Sequence, residues 1–481
     1  MRPLPISEVR GVNVSSLVKN LPCDPRNIYK YPETHTSYRP FGDINEDLVL
    51  GNLRVQNINT VRLMLFWESL EPSRDQLNYK YLIDVDNFIK KCASHNLYVI
   101  LDFHQDLWAR RLGGSGAPDW TLPPTIKYKK YKGVTVNHTL PADKTWGARY
   151  VLDPNQKRIW KAFLNDEGSL QGAYINYISR VCKELCSNRN ILAIDLFNEP
   201  SFPELFLLKN FLNIFARNNS SQKLSHFYER AIKEVISVIP ESVKIGIEPF
   251  GYDVSMMFFG KQLKINELNL DTKTRNRIFW APHLYVPAPI FPWAKPEKLI
   301  AKHIETATEL GLKDVLFGEF GDLTFNSGSK KSIDLIRRQA DALSRSGVGF
   351  IYYNVSPGEK DFWCEENMSM MNDKMVPSAA WDAIKSYFKL KKVQFRNEIF
   401  NNRNLEIAIP EHIRESQLFI AFAKYNESEY RALIKNFTKK IKQNSVGYFS
   451  NDLVSGTVVL VCDVPVQIPG IEWCHIIEVL Q

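Results

Sequence analysis

Eight short apolar runs, rich in β-branched and aromatic residues and separated by longer stretches of helical period, predict an α/β fold over residues 1–390. Alternation of this kind is typical of repeated βα units, and a set of eight units favours a closed (β/α)8 (TIM) barrel with loop insertions. The competing fold is an open, doubly wound sheet. It is disfavoured because no glycine-rich phosphate-binding loop follows the first apolar run.

Each predicted strand is a short apolar run that ends near a polar or turn-forming residue. In chain order the predicted strands are 9–14, 60–66, 97–103, 192–198, 243–250, 277–283, 314–320 and 347–355. Apolar residues recur at helical spacing between several of them. The predicted helices are 78–95, 170–186, 223–239, 296–310 and 331–346.

The pattern changes after a predicted helix at 379–388. Runs at 394–398, 405–409, 418–422 and 457–461 are typical of strands joined by turns, and helical spacing is nearly absent. These features predict a small all-β sandwich domain over residues 391–481, packed on the barrel domain of residues 1–390. No low-complexity linker separates the two domains, so we expect them to be rigidly docked.

Composition and charge describe an ordinary globular protein of 481 residues, 44% hydrophobic and 24% charged, and exclude no enzyme class. The net charge of +8 is modest for this length and would suit an anionic membrane surface. Without a folded nucleic-acid motif, we expect no nucleic-acid partner. The first residues lack the apolar core of a secretory signal, and no run is long enough to span a bilayer. We therefore expect a soluble protein, cytoplasmic or, if a signal was removed, secreted.

The seven cysteines match neither a disulfide framework nor a zinc site, and we expect free, mostly buried thiols. Cys182 and Cys186 lie one helical turn apart, but no paired histidines accompany them.

The prediction is a monomer with no metal and no cofactor.

Two glutamates, Glu199 and Glu319, end two of these apolar runs, at 191–197 and 315–320. In a parallel barrel every strand delivers its carboxyl end to the same rim, so residues far apart in sequence can face each other there. A retaining glycosidase needs one carboxyl group to protonate the leaving oxygen and a second, about 5 Å away, to attack the anomeric carbon. Glu199 lies in the tripeptide Asn-Glu-Pro at 198–200, which on its own is often only a strand-to-turn boundary. The second carboxylate, Glu319, favours the catalytic interpretation.

Other strands also end in polar groups suited to a sugar site. Arg62, in the second strand, can hold a nucleophilic carboxylate ionised and oriented. His104 and Asp106 are two residues apart, so we expect them to share a face and bond vicinal hydroxyls; His283 and Tyr285 likewise share a face. A single histidine at a strand end is more often structural, and the hypothesis depends on their common position at strand ends.

Five segments form a recognisable set of motifs: Gly-Val-Asn-Val at 11–14 with Lys19, Asp-Phe-His-Gln-Asp-Leu-Trp-Ala-Arg at 102–110, Gly-Gly-Ser-Gly-Ala-Pro-Asp-Trp at 113–120, Phe-Asn-Glu-Pro at 197–200 and Phe-Gly-Glu-Phe-Gly at 317–321. With these motifs the sequence resembles glycoside hydrolase family 5, in the branch of the endoglycoceramidases and the related glucosylceramidases and steryl glucosidases. The long second and third motifs are specific to the glycolipid-cleaving branch, whereas Asn-Glu-Pro indicates only the wider clan. The resemblance spans most of residues 8–370.

The resemblance implies that Glu199 is the acid/base and Glu319 the nucleophile of a double displacement. It further implies that Asn198 bonds the sugar 2-hydroxyl, that Tyr285 holds an oxygen of the nucleophile, and that His104 with Asp106 reads other hydroxyls. The full set of implied substrate-binding residues is Lys19, Arg62, His104, Asp106, Trp120, Asn198, His283, Tyr285, Tyr353 and Trp363.

One departure concerns the sugar platform. The family usually has a tryptophan at the end of the eighth strand, where this chain has Tyr353. A tyrosine ring still stacks on a pyranose with less area, so we expect the chemistry to survive while sugar preference changes. Trp363, in a loop similar to that of the glucosylceramidase-like members, is a candidate for compensating stacking.

Apolar segments at 202–215, 256–259 and 290–293 are candidates for lipid recognition beside the site. The alternative is that they are core helices covering the barrel. The basic aromatic stretch 127–132 could contact lipid headgroups, although a solvated loop is the simpler interpretation.

The prediction is therefore a retaining β-glycosidase that acts on a glycolipid, with possible peripheral membrane contact, either as an endoglycoceramidase or as a glucosylceramidase. A steryl β-glucosidase and a β-glucanase or mannanase of the same clan are alternatives. A catalytically silent carbohydrate- or membrane-binding protein is the alternative from another class.

Overall fold

The computed structural model of the protein describes much of the predicted barrel with its side chains and parts of the remaining chain by backbone alone. Side chains are described within 4–14, 37–109, 112, 114–124, 126, 153–201, 219–251, 268–286, 294–322, 328–357 and 368–390; backbone alone is described at 129–131, 134–136, 214–218, 391–396, 404–410, 419–424, 447–452, 457–462 and 475–478.

Eight parallel strands form a closed barrel. They are β1 (Arg10–Val14), β2 (Thr60–Phe66), β3 (Tyr98–His104), β4 (Ile191–Asp195), β5 (Lys244–Ile247), β6 (Ile278–Trp280), β7 (Asp314–Phe320) and β8 (Gly349–Val355). Each strand pairs with the next in chain order, and β8 pairs with both β7 and β1, which closes the sheet. The predicted (β/α)8 barrel is confirmed.

The helices lie between the strands along the chain and pack around the barrel. They are α1 (Glu46–Val55), α2 (Trp67–Leu70), α3 (Tyr79–Ser94), α4 (Pro154–Leu164), α5 (Leu170–Leu185), α6 (Ile214–Ile236), α7 (Thr272–Arg275), α8 (Pro296–Glu309), α9 (Lys330–Arg345) and α10 (Ala379–Ile384). In α5, Tyr174, Ile178, Val181 and Leu185 recur at helical spacing and are buried, which explains why this helix was predictable. Among the described helices, none has the length and apolar character needed to cross a membrane.

Four predicted elements had wrong bounds. Strands β4 and β5 end at Asp195 and Ile247, earlier than predicted, because the apolar residues Leu196, Phe197 and Phe250 lie in the loops that follow. The sixth strand stops at Trp280 and resumes only at His283–Leu284, after Pro282, which has no N–H for a ladder. Helix α6 begins at Ile214 rather than 223, because asparagines and serines hide its first turns in the sequence pattern.

Beyond the barrel, the described backbone is entirely extended. A two-stranded antiparallel sheet joins β9 (Leu390–Arg396) to β10 (Asn404–Pro410). A four-stranded sheet contains β11 (Phe419–Lys424), β12 (Gly447–Asp452), β13 (Thr457–Cys462) and β14 (His475–Glu478), in the order β12-β13-β11-β14. These strands overlap the predicted runs. The sandwich packing and the domain boundary stay predictions.

The thiols that fall among the described side chains are Cys92, Cys182 and Cys186, and all three are buried and free. Burial raises the pKa of Cys92 and of Cys182. These residues therefore act as small apolar groups of the outer core, as expected for them from the sequence.

The barrel interior is apolar at the end from which the strands start. A separate cluster of buried side chains fills this end, and it includes Ile6 and Val9 together with Ile100, Leu316 and Ile351. Ile6 belongs to a 3₁₀-helix at Ile6–Glu8 that closes the barrel from below. The apolar floor leaves the opposite, carboxyl end of the strands free for polar side chains.

Gly349 is required where the 3₁₀-helix at Ile6–Glu8 contacts the barrel. A Cβ at position 349 would lie 2.1 Å from the carbonyl oxygen of Ile6. We expect Gly349→Ala to lower the free energy of unfolding by about 1–3 kcal/mol through overpacking, measured by urea denaturation. Gly328→Ala is the matched control, since a Cβ there meets no atom within 4 Å. Equal stability of the two variants would show that residues 4–9 do not seal the barrel.

Candidate active site

Glu199 and Glu319 meet at the carboxyl end of the barrel. Glu319 lies within β7, and Glu199 lies in the turn four residues after β4. One carboxylate oxygen of each glutamate and one ring nitrogen of His283 all lie within 4.8 Å of one another. The side chains are nearly buried, 10% exposed for Glu199 and 7% for Glu319. This separation is close to the roughly 5 Å of retaining glycosidases and is too short for the water that an inverting enzyme places between its carboxyl groups.

Arg62 is the electrostatic centre of the site, with a side chain only 1% exposed. Its Nη1 donates to Glu319 Oε1 at 2.9 Å and to Asn13 Oδ1 at 3.0 Å. Its Nη2 donates to Asn198 Oδ1 at 2.9 Å. Three further carboxylates form ion pairs with the same guanidinium at 2.9–3.1 Å, namely Asp102, Asp195 and Glu248. Burial alone would lower the pKa of Arg62, but the surrounding carboxylates raise it well above its ordinary value.

The two oxygens of Glu319 are held by different donors. Arg62 binds Oε1, and the hydroxyl of Tyr285 donates to Oε2 at 2.8 Å. Burial and the adjacent charge of Glu319 raise the pKa of Tyr285 well above its ordinary value, so the phenol keeps the proton it donates. Glu319 is therefore oriented as an ionised nucleophile would be.

The surroundings of Glu199 favour its protonated form. Burial is the largest influence and raises its pKa, and the negative charges of Glu319 and Asp106 add to this effect. His283 Nδ1 bonds Glu199 Oε1 at 2.8 Å and opposes the increase without cancelling it. The pKa of His283 is itself raised well above its ordinary value: burial lowers it, but Glu248 and Glu319 outweigh burial. The two glutamates thus have different surroundings: those of Glu199 favour its protonated form, and Glu319 accepts hydrogen bonds from Arg62 and Tyr285, as a general acid and a nucleophile require.

His104 and Asp106 share a face, as expected, but they bond each other rather than leaving both free for a ligand. His104 Nδ1 lies 2.7 Å from Asp102 Oδ2, and Nε2 lies 3.2 Å from Asp106 Oδ2. Burial opposes its charge, yet the two aspartates raise the pKa of His104 to about 10. These surroundings favour the imidazolium form of His104, which links Asp106 to the Arg62 cluster through Asp102.

Asn198 is fixed at both ends of its amide. Its Oδ1 accepts from Arg62, and its Nδ2 donates to the carbonyl of Gln105 at 3.0 Å. In return, the side chain of Gln105 donates to the carbonyls of Asn198 and Glu199 at 2.9 and 3.0 Å. The turn that carries the acid/base candidate is thus clamped to the loop after β3.

The remaining predicted residues differ in their placement. Tyr353, in β8, is 2% exposed and electrostatically coupled to Tyr285, and its role as a sugar platform stays a prediction. The contacts described for Trp120 are with Trp67, the Glu71 carbonyl and Arg74, not with the two glutamates. Lys19 and Trp363 lie outside the described residues, as do the side chains of the candidate lipid-binding segments and of the basic stretch 127–132.

Five residues of the cluster were not singled out as site residues from the sequence: Asn13, Asp102, Gln105, Asp195 and Glu248. All lie at or just after strand ends, which is the signal that could have found them. Glu248 offered a second signal, because Glu248-Pro249 follows an apolar run just as Glu199-Pro200 does. Among the described residues, Glu199, His283 and Glu319 also form the one group close enough to share a metal ion. The prediction that no metal is used stays untested.

Comparison with known families agrees with this geometry. The model of Cellulase (glycosyl hydrolase family 5) matches residues 27–359. The chain belongs to glycosyl hydrolase family 5. Hydrolysis with retention of configuration is general to this family.

Similar curated proteins carry names of glycolipid-cleaving enzymes. An ergosteryl-beta-glucosidase of Saccharomyces cerevisiae is 36% identical over 130 residues, which cover 24% of this chain and 17% of that protein. An endoglycoceramidase of Cyanea nozakii is 23% identical over 191 residues, covering 37% and 38%. A glucosylceramidase of Cryptococcus neoformans is 32% identical over 119 residues, covering 24% and 16%. The matches thus span between about a sixth and two fifths of these relatives' own lengths.

Solved structures show the same fold. Endo-glycoceramidase II from a Rhodococcus species superposes with a TM-score of 0.61 at 18% identity, over 96% of both chains. Sterylglucosidase 1 of Cryptococcus neoformans superposes with a TM-score of 0.59 at 15% identity, over 80% of this chain and 81% of that one. At these identities the likeness concerns the fold.

The Arg62 cluster generates a stability prediction. We expect Arg62→Met to lower the free energy of unfolding by about 3–5 kcal/mol, because it leaves several buried carboxylates without their cation. Chemical denaturation monitored by circular dichroism measures the change. Arg39→Met is the control: Arg39 pairs with Asp43 on the surface at 3.1 Å, and such exposed pairs contribute little. A similar loss in both variants would contradict a central role for Arg62.

Proposed function

We propose that this protein is a retaining β-glycosidase that hydrolyses the bond between a sugar headgroup and a lipid. The main observation in support of this proposal is the pair of carboxylates, Glu199 and Glu319. Their oxygens lie within 4.8 Å of each other, in different electrostatic surroundings. The glycolipid part of the proposal is supported by the names of the similar proteins, an ergosteryl-beta-glucosidase, an endoglycoceramidase and a glucosylceramidase.

In the first step, Glu319 attacks the anomeric carbon and forms a covalent glycosyl ester. Arg62 and Tyr285 orient its carboxylate for this attack. Glu199, protonated because burial raises its pKa, gives its proton to the departing oxygen of the lipid. The bond between the anomeric carbon and that oxygen breaks, and the lipid alcohol leaves.

In the second step, Glu199 acts as the base. Esterification removes the negative charge of Glu319, so that one of the influences raising the pKa of Glu199 disappears. The charged ring of His283, 2.8 Å from Glu199, then favours the carboxylate form. Ionised Glu199 takes a proton from water, the water oxygen attacks the anomeric carbon, and Glu319 is released.

The lipid and the sugar length define two versions of the proposal. Endoglycoceramidase activity would release an intact oligosaccharide from ceramide, whereas glucosidase activity would release glucose from glucosylceramide or a sterol. The 36% identity to an ergosteryl-beta-glucosidase keeps the steryl glucoside as a specific second candidate. We further propose that residues 391–481 form an all-β sandwich domain and that the protein contacts membranes peripherally as a monomer.

A panel of lipids tests the substrate. We expect release of sugar from at least one of fluorescent glucosylceramide, lactosylceramide, a ganglioside and a steryl glucoside, identified by chromatography of both products. Glu319→Gln should abolish release, because the neutral amide cannot form the glycosyl ester. Release from β-glucan or mannan with none from the lipids would replace the glycolipid proposal. No release from any of these substrates would favour a silent binding protein.

The pH dependence tests the role of Glu199. Since its pKa is raised, activity that needs its proton should be present below that pKa and be lost as pH rises through it. We expect kcat/KM of the wild type on a lipid glycoside to fall on the alkaline side. With a dinitrophenyl glycoside, whose leaving group needs no proton, the wild type should lose this alkaline limb and Glu199→Ala should show the same flat profile. An unchanged alkaline limb in Glu199→Ala would assign the titration to another group.

A further inference from the structure

Glu248 is a third buried carboxylate at the catalytic pair, and the mechanism above gives it no role. It directly follows β5 and is 1% exposed. Its Oε2 accepts the backbone N–H of Glu199 at 2.8 Å. Its Oε1 lies 3.3 Å from His283 Nε2 and 3.1 Å from Arg62 Nη2. Glu248 thus contacts the backbone of Glu199, and it also contacts His283, which bonds the Glu199 carboxyl group.

We propose that Glu248 is a positioning residue that sets the orientation of the Glu199 carboxyl, through the backbone amide of Glu199 and through the ring of His283. The inference rests on the proposed retaining mechanism. It deepens that mechanism by assigning a residue on the fifth strand to the acid/base step.

The backbone contact acts on a strained residue. Glu199 has a φ of 42°, in the left-handed region that side chains with a Cβ rarely adopt. This conformation is intrinsically unfavourable for a residue with a Cβ, and neighbouring contacts must offset its cost. The bond from the Glu199 N–H to Glu248 is a contact of this kind. Without it, the turn at residues 198–200 would be free to relax and carry the carboxyl with it.

The ring contact acts on the other end of Glu199. His283 Nδ1 bonds Glu199 Oε1 at 2.8 Å, and its Nε2 forms a longer ion-pair contact with Glu248 Oε1 at 3.3 Å that lacks hydrogen-bond geometry. A ring held at one nitrogen can present the other in a fixed direction. Glu248 therefore restrains both the main chain and, through His283, the carboxyl oxygen of Glu199.

Glu248 itself is rigidly placed. The hydroxyl of Tyr228, on α6, bonds both its carbonyl oxygen at 2.9 Å and its backbone N–H at 3.2 Å. Three residues later, Gly251 packs against Glu199, where a Cβ would lie 2.8 Å from Glu199 Cβ. The segment after β5 is shaped to accept the Glu199 turn.

The charged groups that face Glu248 are Arg62 from β2, Asp195 from β4, Glu199 from the turn after it, and His283 beyond β6. Burial raises the pKa of Glu248, and the charge of Asp195 acts in the same direction, whereas His283 and Arg62 lower it. Nitrogen atoms of Arg62, His283 and Glu199 contact its two oxygens, and the Asp195 carboxylate also interacts with it, so Glu248 connects the Glu199 turn to the Arg62 cluster.

The test compares two reactions of a Glu248→Gln variant, which keeps the volume and replaces one carboxyl oxygen by an amide nitrogen. The first reaction is turnover of a substrate with a poor leaving group, a lipid glycoside cleaved by the wild type. The second is covalent labelling of Glu319 by a dinitrophenyl 2-deoxy-2-fluoro-glycoside, which forms the glycosyl ester and expels dinitrophenolate without an acid. We expect turnover to fall about 10- to 100-fold, as misplacement of a catalytic group does, and labelling to change less than about 3-fold.

Asp195→Asn is the matched control. Asp195 is as buried as Glu248 and contacts the same Arg62 at 2.9 Å, but it does not bond the backbone of Glu199. Because Arg62 also holds Glu319, we expect this variant to slow turnover and labelling by similar factors. A double variant supplies a third readout: in a Glu199→Ala background, adding Glu248→Gln should cost little more, since its effect passes through Glu199.

Two results would overturn the inference. One is a Glu248→Gln variant with wild-type turnover, and the other is a variant whose turnover and labelling fall together, as in Asp195→Asn, because Glu248 would then only support the fold. Failure of the proposed function is distinguishable, because then the wild-type protein itself would neither cleave a glycoside nor be labelled at Glu319, and the inference would fall with it.

Discussion

The structure depends above all on one buried cation. Arg62 is closed off from solvent, and a guanidinium in such a place is stable only if charges and hydrogen-bond acceptors surround it. Its partners come from β1, β3, β4, β5 and β7 or the turns directly after them. The same cation allows several carboxylates to be buried together at the rim, which could not remain charged there alone. Catalytic geometry and barrel geometry are therefore parts of one electrostatic arrangement.

Similar side chains acquire different properties within this arrangement. Glu319 receives a donor on each oxygen, from Arg62 and from Tyr285. Glu199 lies one turn beyond its strand and bonds His283, and burial raises its pKa. The difference arises from which neighbouring strand contributes a partner to each glutamate. A parallel barrel makes such differences possible because each strand end can be varied independently.

The sequence predicted the barrel because its strands are buried and therefore apolar. The bounds of β2 and β7 were predicted correctly, since both strands are mostly apolar despite Arg62 in β2 and Glu319 in β7. The same signal ran too far at β4 and β5, where Leu196 and Phe197 or Phe250 are apolar but lie in turns. Glu248 was missed for a related reason: a carboxylate that contacts other protein groups has no motif of its own until the fold brings those groups together.

Which residues contact one another within the site was harder to predict than which residues belong to the site. His104 and Asp106 were expected to share a face, and alternation along a strand makes that expectation safe. Asp102 bonds the other ring nitrogen of His104 and connects it to Arg62. These contacts depend on distances between neighbouring strands, which alternation along one strand does not predict. Likewise, no pattern in the sequence indicates that Gln105 clamps the turn of Glu199.

The 3₁₀-helix at Ile6–Glu8, which covers the start of the barrel strands, has a consequence for how the chain folds. Arg10 bonds the carbonyl of Val348 at 3.3 Å, although 338 positions separate them, and Ile6 lies under Gly349. Contacts of such long range form late, because the loop between them must close first. The first strand therefore remains without its eighth neighbour until nearly the whole barrel has been synthesised. During that interval its open edge and the apolar residues beside it are exposed, and this seam is where we expect a chaperone, or another unfolded chain, to bind first.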